Sequence, residues 1–478
     1  MISAIFKSDG RPLDWRWLEQ QLLFMGFVIG LPIGIAWAPA TFRDGDVSWH
    51  IAAGNWILTH GRIPTADPFS FTAAGHSWIA TEWLAEIIQA LAFDLAGYAG
   101  LAALVAAALI ALNAIVFFHL QRRGAALPWA SLLAMDVALV PMVMARPHVL
   151  AWPLLAAWTV LLLTYANKGR PPPLWSALLL VVWTNLHTSF PLAAPIGAAI
   201  AFDSLVESKW TNLREWVLFA LASLIAVLAN ANGIGGILQP FRISGLDMLG
   251  VIGEWSPTTT HNTPEFFVIL LLGLAALLWH GIRVPIGRLI LLLAALGFAF
   301  MHMRHQSSFI IIAACIIPPL IRAEHAAKTV AKPLILAALP LLAARLILPL
   351  TPPESPANPR HLIAAIPNEL RQQAVFNGYT LGGPLILAGI RPYIDGRAEM
   401  YGDNFVIDYW KILHGDVGRF NRTVDRYDIR WVMLPNEEKR LIGYLDSSGA
   451  WRRIYGDAVG VIYVRTDVTR NIGGSSRG

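Results

Sequence analysis

Long apolar runs separated by short polar loops dominate the first three-quarters of the chain. A membrane-crossing helix needs roughly 20 mostly apolar residues. Eleven stretches read as spans: 19–40, 98–120, 127–144, 149–167, 174–187, 189–206, 215–230, 265–280, 286–302, 307–321 and 333–350. Several are short, and 174–187 with 189–206 also reads as one broken helix. The stretch 81–96, "TEWLAEIIQALAFDLA", differs. Glu82, Glu86 and Asp94 interrupt its apolar pattern, which predicts an amphipathic helix lying on the membrane surface. After residue 351 the pattern changes again. A proline-rich linker, "LTPPESPANPR", leads into short β-like runs ("WVMLP", "AVGVIYVR") between helix-like ones ("NFVIDYWKILHG", "EEKRLIGYL"). The prediction is an α-helical polytopic membrane protein of about 11 transmembrane helices over residues 1–350. A small α/β domain follows over 351–478, and its tail "RNIGGSSRG" reads as disordered.

Composition agrees with a membrane chain. Of 478 residues, 56% are hydrophobic and only 14% are charged, against about a quarter charged in soluble domains. The 19 tryptophans suit the membrane–water interface. A net charge of +5 does not point to nucleic acid, because the basic residues are scattered through short loops. Alternate loops ("QRRG", "NKGRPPP", "ESKWTNLRE", "HGIRVPIGR", "RAEHAAKTVAK") each carry at least two Lys or Arg. The positive-inside rule then places Lys7, Arg122, Arg123, Lys168, Arg170, Arg283, Arg288 and Lys328 in the cytoplasm, together with the N-terminus. The first outer loop, 41–97, and the C-terminal domain fall outside. The N-terminus lacks the pattern of a cleaved signal peptide. The single cysteine, Cys315, excludes an internal disulfide and a thiolate metal site.

On the outer side the polar residues are unusual. Asp44, Asp46, His50 and Glu82 belong to the first outer loop. Arg146 and His148 lie in "ARPHV", His187 in "TNLHTSF", and His302, Arg304 and His305 in "MHMRHQSSF". Glu254 is the conspicuous acid of the long 230–264 loop. Ionisable groups near membrane depth are expensive and usually face an interior cavity. The set predicts a wet cavity open to the extracytoplasmic side. Asp44-Gly45-Asp46 can hold a divalent cation, Mg or Mn, or supply a general base. Equally, Asp46 can cap the helix "VSWHIAAGNWILTHG". Arg146, Arg304 and the neighbouring imidazoles can cradle an anionic head group, since an Arg fork binds phosphate oxygens bidentately. Trp78 and Trp83 suit stacking on a sugar or resting at the interface. Asp395 and Arg397 read as a structural pair. No phosphate-cradling P-loop or dinucleotide fingerprint is present.

One span, an outer loop with the acidic string "DGDVSWHIAAGNWILTHGRIPTADPFSFT", an amphipathic helix, further spans and an outward C-terminal domain resemble the GT-C superfamily of membrane glycosyltransferases. "ARPHV" and "YIDGRAEMYG" look like strings of a bacterial branch of that group. The resemblance covers the whole chain in architecture, and its specific motif covers about thirty residues. It implies a sugar donor on a polyprenyl-phosphate carrier, a lipid, glycan or protein acceptor, and the bacterial cytoplasmic (inner) membrane. An acid of the first outer loop would act as base or metal ligand, which by position falls on Asp44 or Asp46. The chain departs from the mannosyltransferases' Asp-Glu pair and from the oligosaccharyltransferases' W-W-D signature. A flippase of lipid-linked substrates and a non-catalytic envelope-assembly protein are the other classes to weigh.

Overall fold

The structure, a computed structural model, describes residues 15–323 and 332–467. Lys7, Lys328 and the tail "RNIGGSSRG" of the predictions above lie outside them. All eleven apolar stretches carry helix, but fewer carry a helix of spanning length. Trp17–Ala36, Trp83–Arg123, Pro147–Ala166 and Phe190–Glu207 are long and apolar enough to cross a membrane. A fifth is added if Leu213–Leu228 and Gly233–Ser244, bent by 91°, count as one span. The expectation of eleven spans is not supported by helix length. The reason is local. The stretch 127–144 leaves α-helix after Leu139, where Pro141 falls. Leu174–Leu186 opens in a 3₁₀ turn and covers about 20 Å at 1.5 Å per residue, short of the ~30 Å hydrocarbon core. Outward-facing apolar side chains, among them Trp279 (88% exposed) and Ile347 (83%), suit lipid contact. Chain and fold are those of a multi-pass membrane protein.

The helix after the first loop is continuous from Trp83 to Arg123 except at Ala96 and Gly97. Gly97 takes φ +56°, which glycine reaches without a Cβ penalty. The segment before this break is amphipathic, as its sequence predicts. Its polar side, however, faces inward: Glu86 and Gln89 are buried while Leu91 and Leu95 are exposed.

The C-terminal part holds a four-stranded sheet, β1 Val375–Asn377, β2 Trp431–Pro435, β3 Trp451–Gly456 and β4 Gly460–Arg465. Its order is β1-β2-β4-β3, with β1 and β2 parallel and the other pairs antiparallel. All five residues of β2 are buried, so it reads as a continuous apolar run. The "WVMLP" and "GVIYVR" runs are β2 and β4. Helices Asp403–Leu413 and Lys439–Ser447 match the two helix-like runs.

This C-terminal part is pressed onto the first loop. Helix Gly382–Leu387 packs on helix Asp46–His60. The two backbones meet at glycines. A Cβ on Gly45 would lie 2.1 Å from the Thr380 carbonyl oxygen, and one on Gly383 would lie 2.1 Å from that of Gly45. Only residues without a side chain allow this approach.

Candidate functional site

A cavity of about 1070 Å³ opens between the ends of the helices, the first loop and the C-terminal part. That volume is at the upper end of ordinary ligand sites. Asp44, Asp46, Glu82, Arg146, His148, His187, Glu254, Arg304 and His305 line it. Tyr379, Thr380 and the run Gly396–Glu399 close one wall. His50 and His302, grouped with these residues from sequence, do not line it. His50 is fully buried behind the wall, and His302 lies against the Trp255 carbonyl oxygen through Nδ1 at 2.7 Å.

The centre of the site is Arg146, which precedes helix Pro147–Ala166. Its Nη1 donates to Asp44 Oδ2 at 3.0 Å and to Glu254 Oε2 at 3.2 Å, and its Nη2 lies 3.1 Å from Asp46 Oδ2. Glu254, in the turn Gly253–Trp255, reaches onward to Arg304 Nη1 at 3.2 Å. The Arg304 guanidinium in turn sits 4.4 Å above the Trp255 ring. Acids and guanidinium groups from the first loop, "ARPHV", the 230–264 loop and "MHMRHQSSF" therefore form one chain of charge.

Asp44, rather than Asp46, makes the cap-like contact. Its Oδ1 accepts the backbone N–H of Asp46 at 2.9 Å as the helix begins. Asp44 thus uses both carboxylate oxygens. Burial and the adjacent Asp44 charge push the Asp46 carboxyl up to about 7, against the pull of Arg146. Glu254 behaves oppositely. Although burial raises it, Arg146 and Arg304 hold it at about 2.

A second cluster flanks the first. Glu82 Oε1 lies 3.3 Å from His187 Nε2, and Glu82 Oε2 lies 3.9 Å from His50 Nε2. The Ser189 backbone N–H donates to His187 Nδ1, which leaves the His187 proton on Nε2, facing Glu82. Burial pushes Glu82 up to about 7 and drives His50 well below the usual imidazole range. Neither ring nitrogen of His50 has a hydrogen-bond partner among the described residues.

Two sequence readings change, and a third gains a partner. Trp83 donates its indole N–H to Asn185 Oδ1 and so ties loop to helix. Trp78 is buried, 4.7 Å from the Arg397 guanidinium. Arg397 does pair with Asp395, as read from the sequence. It precedes helix Ala398–Tyr401 and binds Asp395 through Nε and Nη2 and Asp67 through Nη1, at 2.9, 2.7 and 2.8 Å. Asp67 and the wall residues Tyr379 and Glu399 were not singled out for the site by sequence. The abundance of glycine near 378–396 was the available signal for a close approach.

The carboxylates suit a divalent cation by charge, but the Arg146 guanidinium already stands among them. Among the described residues no group of three or more His, Cys, Asp or Glu is arranged to hold a metal ion. The expected Mg or Mn site at Asp44 and Asp46 does not fit these side chains as they stand.

No family model and no curated protein sequence matches the chain. Solved structures do. The archaeal oligosaccharyltransferase AglB from Archaeoglobus fulgidus, in complex with an inhibitory peptide and a dolichol-phosphate, is similar with a TM-score of 0.54 and 10% identity, over 95% of this chain and 75% of that one. The apo form of the Archaeoglobus fulgidus oligosaccharyltransferase is similar with a TM-score of 0.54 and 11% identity, over 95% and 74%. At such identities the likeness is one of architecture, and it spans nearly the whole molecule: the chain has a GT-C-like fold.

Proposed function

We propose that the chain is a membrane glycosyltransferase that moves a sugar from a polyprenyl-phosphate carrier to a lipid, glycan or protein acceptor, with inversion. The observation that carries this reading is the cavity itself. Within a GT-C-like fold, paired carboxylates and guanidinium groups line one cavity whose volume would admit a sugar. The dolichol-phosphate and peptide bound by the archaeal neighbour support a lipid-phosphate donor.

Asp46 is the residue to take the acceptor's proton. Its carboxyl is poised near 7, where a base is both ionised and basic enough to work at neutral pH. The acceptor oxygen attacks the anomeric carbon in line, and the bond to the carrier phosphate breaks. Arg304, 27% exposed, faces the leaving phosphate. Fixed cationic donors contribute most where charge develops in a water-poor site. Glu82 and His187 flank the acceptor side. The basic loops support an orientation with the cavity outside the bacterial inner membrane. Helix Pro147–Ala166 starts beside Arg146 and ends beside Lys168 and Arg170, about 30 Å away.

The test is transfer by purified protein in vesicles, with radiolabelled polyprenyl-phosphate sugars of several kinds and release of polyprenyl phosphate as the readout. Turnover by the wild type, reduced about 10²–10⁴-fold in Asp46→Asn, supports the reading. Equal turnover in the variant, or none with any donor, overturns it.

A further inference from the structure

Three carboxylates from two separate segments converge on one point, and a side chain of the protein occupies that point. Asp44 and Asp46 open the first-loop helix, and Glu254 sits more than two hundred residues later. All three lie within 3.2 Å of Arg146. Three acids around one centre offer the charge and hard-oxygen donors that a divalent cation prefers, although with Arg146 among them they are not arranged to hold one. Left without a cation, they would repel one another and their burial would be expensive.

We infer that Arg146 is a built-in replacement for a divalent cation: its guanidinium holds Asp44, Asp46 and Glu254 together, so the site assembles without metal. The geometry suits the fork of arginine. One terminal nitrogen serves Asp44 and Glu254 and the other serves Asp46, which a lysine ammonium on a flexible stem cannot reproduce with the same direction. A guanidinium cannot discharge at any working pH, so the centre keeps its positive charge as Asp46 titrates. A cation entering the same space would have to displace Arg146 from three partners at once. Arg146 is thus a positioning residue. It fixes where Asp46 and Glu254 stand and leaves Arg304 to meet the ligand.

The inference concerns the cavity of the proposed transferase, but its test needs no turnover. Full-length protein in detergent is titrated with Mn²⁺ alone, and free Mn²⁺ is followed by electron paramagnetic resonance. Wild type is expected to bind none at the site up to about 1 mM. Arg146→Ala is expected to gain one site with a Kd of about 10–100 μM and to be stabilised by Mn²⁺ by mass action. That gain should vanish in Asp44→Asn/Arg146→Ala. A wild-type site below about 100 μM that is lost in Asp44→Asn overturns the inference, and so does an alanine variant that folds and gains no site. Should the alanine variant not survive purification, wild type decides by its melting temperature. A Tm unmoved by 1 mM Mn²⁺ supports the inference, and a rise of several degrees that Asp44→Asn abolishes overturns it. Failure of the transferase reading would leave these results unchanged, because none depends on a sugar donor.

Discussion

Arg397 and Arg146 each bind two or more acids, and their surroundings set them apart. Arg397 and its partner carboxylates, Asp67 and Asp395, are fully buried. Tyr401 adds a hydrogen bond to Asp395 at 2.7 Å, while Phe69 and Trp78 cover the guanidinium at 5.1 and 4.7 Å. Asp67 also receives the backbone N–H groups of Phe69 and Ser70. Arg146 meets an equally acidic set, yet its side chain is 19% exposed, Glu254 is 33% exposed, and the group opens on a cavity. The first arrangement is buried and joins the first loop to the C-terminal part. The second holds its charges in place and leaves them accessible. Ion-pair chemistry alone therefore does not mark a site. Access does.

The contrast breaks most clearly at Arg397. Arg397→Ala leaves Asp67 and Asp395 buried and unpaired, at a cost of about 3–5 kcal/mol. Loss of folded, detergent-soluble protein on size-exclusion chromatography is the expected outcome. Asp46→Asn should instead leave the fold intact and reduce transfer about 10²–10⁴-fold. In the wild type the rate should rise with pH through about 7 as Asp46 loses its proton, and the variant should lack that limb. Arg304→Ala should lower turnover about 10²-fold with little change in melting temperature, because the side chain is held only at the cavity edge.

The smallest effect sharpens the comparison from the other side. Burial raises Glu82 from 4.5 to about 7. Folding therefore takes up a proton between those values, and stability contributed by the neutral acid is lost as pH rises through them. Glu82→Gln has no such loss. Its Tm advantage over wild type should widen by about 2–4 °C between about pH 5 and pH 8, measured by tryptophan fluorescence. A constant difference would mean that Glu82 ionises normally in the folded protein.

Much of this was legible because apolar periodicity and strand composition are local properties. The strands "WVMLP" and "GVIYVR" lie where their buried runs predict. Polar residues at the ends of separate helices do gather at one cavity, His50 and His302 apart, since each occupies the same end of its helix. Span number was not legible, because it depends on where Pro141 and 3₁₀ turns shorten helices that composition alone reads as full length. The Asp67–Arg397 contact, 330 residues apart in sequence, leaves no local trace. Nor does the inward turn of Glu86: polar residues on an amphipathic helix ordinarily face water, and only the neighbouring helix Asp46–His60 shows why this one does not.

The glycine seam between Gly45 and Gly383 also sets a schedule for biosynthesis. The acids of the first loop leave the ribosome early, but the wall that Tyr379 and Glu399 complete arrives roughly 350 residues later. At ordinary elongation rates this is a delay on the order of 20–70 s. Until then Asp44 and Asp46 have no enclosed space to act in. A nascent chain therefore lacks this wall of the cavity until its last quarter has been made and docked.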